Sequence, residues 1–175
     1  TRARQLSTLS GIAHELYTSK ETEELLLAAE TEPNLKENEI RNLELLKEEF
    51  QRQKKYPTSF VEEMSKSVSV CFQAWNEARD KNDFTVFATP LDKLIELKIK
   101  ETELLGYESH PYDALLDLYE RKITVNQLDD LFSEVKQKLS PLLKKIFNAK
   151  QVDDTFFFQH YDKSKQWDFG LDLLN

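Results

Sequence analysis

The stretch "PTSFVEEMSKSVSVCFQAWNEARDK", residues 57–81, decides the fold class of this chain. Its apolar side chains recur in steps of four, four, three, four and three residues, at Phe60, Met64, Val68, Cys71, Trp75 and Ala78. Because an α-helix has about 3.6 residues per turn, this spacing places all of them on one face. The stretch therefore predicts a long helix with one buried seam, from Thr58 or Ser59 to about Lys81.

The same spacing continues toward the amino terminus. A first helix is predicted to carry Leu6, Leu9, Ile12, Ala13 and Leu16 on one face. Ser19 is predicted to cap a second helix, and "TEPN" at 31–34 to end it. A third helix would carry Ile40, Leu43, Leu46 and Phe50. It should stop before Pro57, because proline disfavours helical geometry in the preceding residue.

Toward the carboxyl terminus, Thr89-Pro90 predicts the start of a fifth helix and Gly106 its end. Pro111 should open a short helix through "YDALLDLYE". A seventh helix, from about Val125 to Ala149, would carry an apolar stripe of Leu128, Leu131, Phe132, Val135, Leu139, Leu142 and Ile146, with a kink at Pro141. A last helix, "SKQWDFGLDLLN", would be interrupted at Gly170.

No convincing period-two run is present, so the sequence predicts an all-α fold. We expect an elongated bundle of about seven or eight helices joined by short loops, with residues 1–175 as a single helical domain.

Composition limits the function classes. The net charge of −8 argues against nucleic-acid binding, which needs clustered lysine and arginine. Cys71 is the single cysteine, so no internal disulfide can form, and we expect a small buried side chain in a reducing compartment. No apolar run is long enough for a membrane span or a signal peptide, which predicts a cytoplasmic protein without a membrane partner.

His14-Glu15 is most of the H-E-x-x-H zinc signature, in which two histidines four residues apart bind the metal. The fifth position is Thr18, whose hydroxyl cannot replace the second imidazole. We therefore interpret His14 as an ordinary helical residue on or beside the apolar face. His110 precedes Pro111 and is expected in a loop, and His160 among "FFFQHY" is expected to be packed.

Other catalytic signatures are also missing from the sequence. The three glycines are far apart, so no glycine-rich phosphate loop exists. Acidic pairs such as Asp129-Asp130 are neighbours in sequence, and on a helix they point about 100° apart rather than sharing a proton. Residue chemistry alone thus assigns no catalytic, cofactor-binding or metal-ligating residue within 1–175.

Four blocks of the chain nevertheless have a familiar order. They are "RARQLSTLSGIAHELYTSKETEELL" (2–26), "YPTSFVEEMSKSVSVCFQAWNEARDKNDFTVFATPLDKLIELKIKETELLG" (56–106), "PYDALLDLYERKITVNQLDDLFSEVKQKLSPLL" (111–143) and "YDKSKQWDFGLDLL" (161–174). Together they resemble the N-terminal third of the carboxypeptidase Taq family of zinc metallocarboxypeptidases. Arg121-Lys122 departs from that family, whose members commonly show Pro-Gly there, so we expect a longer or more helical turn.

The resemblance implies a parent enzyme that uses a zinc-bound water to remove single residues from peptide C-termini, and that works as a homodimer with a deep groove. The family's zinc helix and carboxylate-binding motifs lie downstream of the matched region, so no catalytic or metal residue is carried over. Residues such as Tyr112, Asp113 and Asp117 match the family, with roles expected in caps, loops and packing.

The first hypothesis is that the chain is the N-terminal helical domain of such an enzyme, partnered by the remainder of the parent chain. It would form a wall of the peptide-substrate groove and be inactive alone. The start at Thr1 and the uncapped "GLDLLN" end suggest a fragment. Exposed apolar surface should then cause self-association. The alternative is a stand-alone helical scaffold or protein-interaction module without catalysis.

Overall fold

The structure is a computed structural model that describes residues 2–174, and all of its regular elements are helical. The α-helices are α1 (Arg2–Tyr17), α2 (Lys20–Glu30), α3 (Glu37–Gln53), α4 (Thr58–Lys81), α5 (Thr85–Leu105), α6 (Asp113–Leu116), α7 (Val125–Asn148) and α8 (Lys163–Leu174). A short 3₁₀ helix, Thr155–Phe158, lies between α7 and α8. The prediction of an all-α fold is confirmed.

The described residues separate into two compact units, with the division between Val125 and Asn126. In the first unit α4 packs against α1 and against α5, α2 packs against α3, and α6 packs against the end of α5. The second unit contains most of α7, the 3₁₀ helix and α8. No helix within residues 2–174 is long and apolar enough to cross a membrane.

The core of the first unit lies where the end of α3 leads into α4 beside the last turns of α5. Tyr56, Phe60, Leu97 and Leu105 form a buried apolar cluster. Leu97 is 2% exposed, which makes it one of the two most deeply buried large side chains among the described residues; the other is Phe50 at 1%. The predicted seam of α4 is partly right, because Phe60, Cys71 and Ala78 are buried, whereas Val68 and Trp75 are more than a third exposed.

Helix α1 packs in a way that the apolar pattern did not predict. Its leucines and Ile12 are exposed, and the buried residues are Gly11 and His14. The Ser7 hydroxyl donates to the carbonyl of Glu62 on α4 at 2.8 Å. A Cβ on Gly11 would lie 2.6 Å from a carboxylate oxygen of Glu62, so the missing side chain permits this close approach. The small polar face of α1, rather than its apolar stripe, therefore contacts α4.

Several predicted helix ends are confirmed. The Ser19 hydroxyl caps α2 by accepting the Thr22 N–H at 3.2 Å. Helix α4 begins at Thr58 and ends at Lys81, and α5 ends immediately before Gly106, which has a positive φ of 77°.

The predicted start of the fifth helix is wrong. Helix α5 begins at Thr85, because the Asp83 carboxylate accepts hydrogen bonds from both the N–H and the hydroxyl of Thr85. Pro90 consequently lies inside the helix instead of opening it.

Three further predictions need correction. Helix α6 covers only Asp113–Leu116, with turns on either side, and is shorter than the predicted "YDALLDLYE" segment. Helix α8 continues through Gly170 to Leu174 without interruption. The turn at Arg121-Lys122 is not helical: Lys122 adopts the left-handed conformation with φ of 63°. Glycine is favoured in that conformation, and a lysine adopts it at an energetic cost.

Candidate functional site

His14 lies in the interior of the first unit, at the contact of α1 with the start of α4. Its Nε2 is 2.9 Å from the carbonyl oxygen of Tyr56. A carbonyl oxygen only accepts, so the Nε2 nitrogen carries the proton and donates. Thr18, at the fifth position of the incomplete zinc signature, turns its hydroxyl back onto the His14 carbonyl at 2.8 Å. His14 lies in helix α1 as predicted, but on its buried small-residue face rather than on the exposed apolar stripe.

The donor set of the described residues does not fit a zinc ion. A zinc site needs at least three converging nitrogen, sulfur or oxygen ligands. Within residues 2–174, His, Cys, Asp and Glu side chains do not converge in any group of three or more. His14 Nε2 is committed to Tyr56, and neighbouring Glu15 is exposed.

A buried polar network continues from Tyr56 into α5. The Tyr56 hydroxyl donates to Glu101 Oε1 at 3.0 Å, and Lys98 Nζ donates to Glu101 Oε2 at 2.7 Å. Burial, followed by the charge and hydrogen bond of Glu101, raises the pKa of Tyr56 well above its usual range. The hydroxyl therefore stays protonated and donates to one carboxylate oxygen of Glu101, while Lys98 bonds the other. This network ties α1, the start of α4 and α5 together.

The amino-acid sequence contains one signal for this network. The apolar stripe of α5 runs Leu94, Leu97, position 101 and Leu105, and a glutamate interrupts it at Glu101. A charged residue at the core position of an amphipathic helix is buried only with partners. The identity of those partners, Tyr56 and Lys98, depends on tertiary packing.

A cleft of the first unit, with a volume of about 850 Å³, lies between α3 and the segment from Leu105 to Thr124. About half of its lining residues are charged, and two ion pairs cross it. Arg52 of α3 donates to Asp117 at 2.6 Å, and Arg121 pairs with Glu48 of α3. Lys55 Nζ donates to the Leu105 carbonyl at 2.5 Å, at the end of α5.

Asp113 organises the loop beside this cleft. Its carboxylate accepts the Val125 N–H at 2.7 Å, the Ser109 hydroxyl at 3.0 Å and the His110 N–H at 3.2 Å. These hydrogen bonds, with the Val125 N–H as the largest contribution, lower the pKa of Asp113. The expected roles of this residue in capping and loop structure are confirmed.

Ser109, His110 and Asp113 have the residue types of a hydrolytic triad, but their hydrogen bonds are not those of a triad. A triad needs a histidine that takes the serine proton while the carboxylate holds the other ring nitrogen. Here Ser109 donates directly to Asp113, and His110 Nδ1 accepts the Tyr112 N–H at 3.1 Å. His110 lies in a loop, as predicted. The arrangement holds the turn before α6 and does not activate the serine.

The remaining candidate side chains lie elsewhere. Cys71 is buried, as predicted, and burial raises the pKa of its thiol, which makes it a poor nucleophile. The prediction that His160 is packed is wrong, because His160 is exposed, as are the neighbouring residues 156–158. The second unit buries none of the aromatic side chains that surround His160 in sequence, so those side chains form no pocket around the imidazole.

Comparisons with known proteins identify the family of this chain. The sequence profile of the carboxypeptidase Taq (M32) metallopeptidases matches residues 1–175. Carboxypeptidase 1 of Bacillus subtilis is 35% identical over 99% of this chain, and thermostable carboxypeptidase 1 of Pyrococcus furiosus is 35% identical over 91% of it. The chain spans only 35% and 32% of the length of these two relatives.

Solved structures agree with the sequence comparison. The crystal structure of BsuCP superposes with a TM-score of 0.93 at 35% identity, over 99% of this chain and 35% of that one. A Pyrococcus furiosus carboxypeptidase, in an apo-Mg structure, gives a TM-score of 0.70 at 38% identity, over 81% of this chain and 28% of that one. Because the profile covers every residue and the fold agrees over nearly the whole chain, this protein belongs to the carboxypeptidase Taq (M32) metallopeptidase family.

Proposed function

We propose that this chain is the N-terminal helical part of a zinc metallocarboxypeptidase that releases single amino acids from peptide C-termini. Its contribution is structural: it forms one wall of the substrate groove and is inactive alone. The carrying observation is the family match over residues 1–175 in a chain that spans about a third of its relatives' length. The parent enzyme is proposed to be cytoplasmic and homodimeric.

Exposed apolar side chains support the assignment of a wall rather than a complete enzyme. On α1, Leu9, Ile12 and Leu16 are 62%, 50% and 68% exposed. On α4, Phe72 is 61% exposed and Trp75 is 40% exposed. Leu9, Ile12 and Leu16 share one face of α1 by their spacing, and exposed apolar faces usually mark surfaces that contact another protein segment. The remainder of the parent chain is the proposed cover for these two helices.

The described residues also support placing the chemistry outside this region. Zinc, when bound by the parent, would supply an activated water for peptide hydrolysis. His14 Nε2 donates to Tyr56, and the Ser109 hydroxyl donates directly to Asp113, so neither is arranged to take part in that reaction. What these residues do is hold α1, α4 and the loop before α6 in fixed positions.

Expression of the parent as two separate chains tests the proposal. Residues 1–175 and the remainder of the parent chain would be produced apart, mixed, and assayed for amino-acid release from a blocked dipeptide. The expected result is zinc-dependent activity in the mixture and none from either part alone. Full activity of the remainder alone would contradict the structural contribution, and no activity from the uncut parent would contradict the peptidase assignment. Bacillus subtilis carboxypeptidase 1, cut at the equivalent position, serves as the matched control.

A further inference from the structure

Helix α7 carries an apolar seam with the spacing of a coiled coil. Its apolar residues recur in steps of four, three, four, three and four, at Leu128, Phe132, Val135, Leu139, Leu142 and Ile146. These are successive d and a positions of a seven-residue repeat, the spacing by which helices pack against one another. The five residues of this seam from Phe132 to Ile146 are 44–61% exposed.

The flanks of this seam are basic from residue 135 onward, in a chain whose net charge is −8, whereas Asp129 occupies an e position at its start. In the same repeat Lys136 occupies an e position, and Lys138 and Lys145 occupy g positions; Lys138 also pairs with Glu134 of α7. From residue 135 to residue 152 the sequence contains five lysines and no acidic residue. Charges at e and g positions select the partner of a coiled coil, because they lie beside the partner's own e and g residues.

A second copy of α7 does not suit this surface. Antiparallel pairing with the a and d layers in register would place Lys138 opposite Lys138 and Lys136 opposite Lys136. Like charges at these positions oppose association. Parallel pairing would place lysine beside Leu131 or Leu143, without an acidic partner at any of these positions.

We propose that the α7 seam docks an acidic amphipathic helix, with glutamate or aspartate at its flanking positions, and that this helix lies in the part of the parent chain beyond the 175 residues. The inference rests on the proposed function, because it takes the partner helix from the remainder of the parent chain. The relative in Bacillus subtilis is about three times as long as this chain. Apolar contacts along the seam supply the affinity. The lysines select a partner helix with acidic flanks.

A peptide titration tests the proposal without any assay of peptidase activity. The probes are two fluorescently labelled peptides of three heptads with leucine at a and d, one with glutamate and one with lysine at e and g. Anisotropy would be measured with the 175-residue chain at low and high salt. We expect the glutamate peptide to bind about tenfold or more tightly than the lysine peptide, with the preference reduced by salt.

Adjacent residues on α7 provide matched variants. Lys145→Glu should weaken binding of the glutamate peptide about three- to tenfold, because an attractive exposed pair becomes a repulsive one. Lys144→Glu makes the same charge change at an outward f position and should have little effect. Leu142→Ser, in the seam, should reduce binding strongly, whereas Phe147→Ser, at an outward position that is 77% exposed, should not. Circular dichroism checks that each variant keeps its helix content.

The outcomes separate this inference from the proposed function. Equal binding of the two peptides, no binding, or equal effects of Lys144→Glu and Lys145→Glu would overturn the acidic-helix docking site. Self-association that Leu142→Ser abolishes would assign the seam to a second copy instead. None of these results depends on whether the parent hydrolyses peptides, and loss of peptidase activity in the parent would not change the peptide preference.

Discussion

Replacing Tyr56 with phenylalanine should destabilise the first unit. The change removes the hydroxyl that donates to Glu101 Oε1 at 3.0 Å and leaves a carboxylate oxygen, on a residue only 7% exposed, without that donor. Hydrogen bonds to charged groups contribute about 1.5–3 kcal/mol, so we expect a loss of about 2 kcal/mol in the free energy of unfolding. For a chain of this size the midpoint temperature should fall by about 4–8 °C.

Urea and thermal unfolding followed by circular dichroism measure this loss. The matched control is Tyr119→Phe, because Tyr119 is 89% exposed and its hydroxyl lies in solvent. Surface substitutions of this kind change stability by about 0.5 kcal/mol or less. If Tyr56→Phe and Tyr119→Phe are equally stable, the buried network does not hold the three helices together and the reasoning is refuted.

The same pair gives a pH dependence with a defined sign. The native pKa of Tyr56 is raised, so the folded state favours the protonated hydroxyl. Its contribution should be complete below about pH 10, the ordinary tyrosine pKa, and should be lost as the pH rises further. The difference in unfolding free energy between the native chain and Tyr56→Phe should therefore be constant from about pH 7 to 9 and shrink above about pH 10. A difference in unfolding free energy that stays constant above about pH 10 would contradict the raised pKa of Tyr56.

Three further predictions concern single residues. Leu97→Ala, at a position 2% exposed, should lower the unfolding free energy by about 2–5 kcal/mol in urea titrations. An equal loss for the control Ile99→Ala, at a position 57% exposed, would contradict the described core. Asp113→Asn should speed proteolytic cleavage of the loop before α6, because the carboxylate accepts the Val125 N–H. In the native chain the resistance of this loop to proteolysis should be complete above the ordinary aspartate pKa and should decrease as the pH falls through the lowered pKa of Asp113. Lys122→Gly should raise the unfolding free energy by about 1 kcal/mol, because glycine adopts the left-handed φ of 63° without strain. A lower unfolding free energy in this variant would show that Lys122 is not strained.

The long helices could be predicted because their signals are local. Thr58–Lys81 follows from its apolar period, and the preceding proline fixes its start. Asp83 shows where this reasoning fails. Its carboxylate caps Thr85 at 2.9 Å, four residues before the Thr89-Pro90 pair that predicted the start of α5. Both signals are present in the sequence, and the stronger one was an aspartate two residues before the helix.

The buried faces could not be predicted with the same success. Helix α1 has an apolar stripe and a small polar stripe with the same period, and either can face a neighbour. Ser7 and Gly11 contact α4 because small side chains allow the two backbones to approach closely. Leu9 and Leu16 stay exposed, so the apolar stripe does not form the contact with α4.

Only part of the candidate site could be predicted from the sequence. The mismatch at Thr18 was enough to argue against a zinc pair with His14, and the structure shows His14 bonded to the Tyr56 carbonyl. Pairings such as Arg52 with Asp117 join residues 65 positions apart, and no local pattern contains them. Long-range ion pairs of this kind depend on how α3 and the loop after α6 are brought together.

Zinc content and release of C-terminal amino acids, measured on the purified 175-residue chain beside the same chain extended to the family's full length, test the central claim most directly. The account predicts that the 175-residue chain retains no stoichiometric zinc and releases no amino acid, while the extended chain binds zinc and hydrolyses a blocked dipeptide. Zinc-dependent release by the 175-residue chain alone, abolished by a chelator and restored by added zinc, would contradict the account.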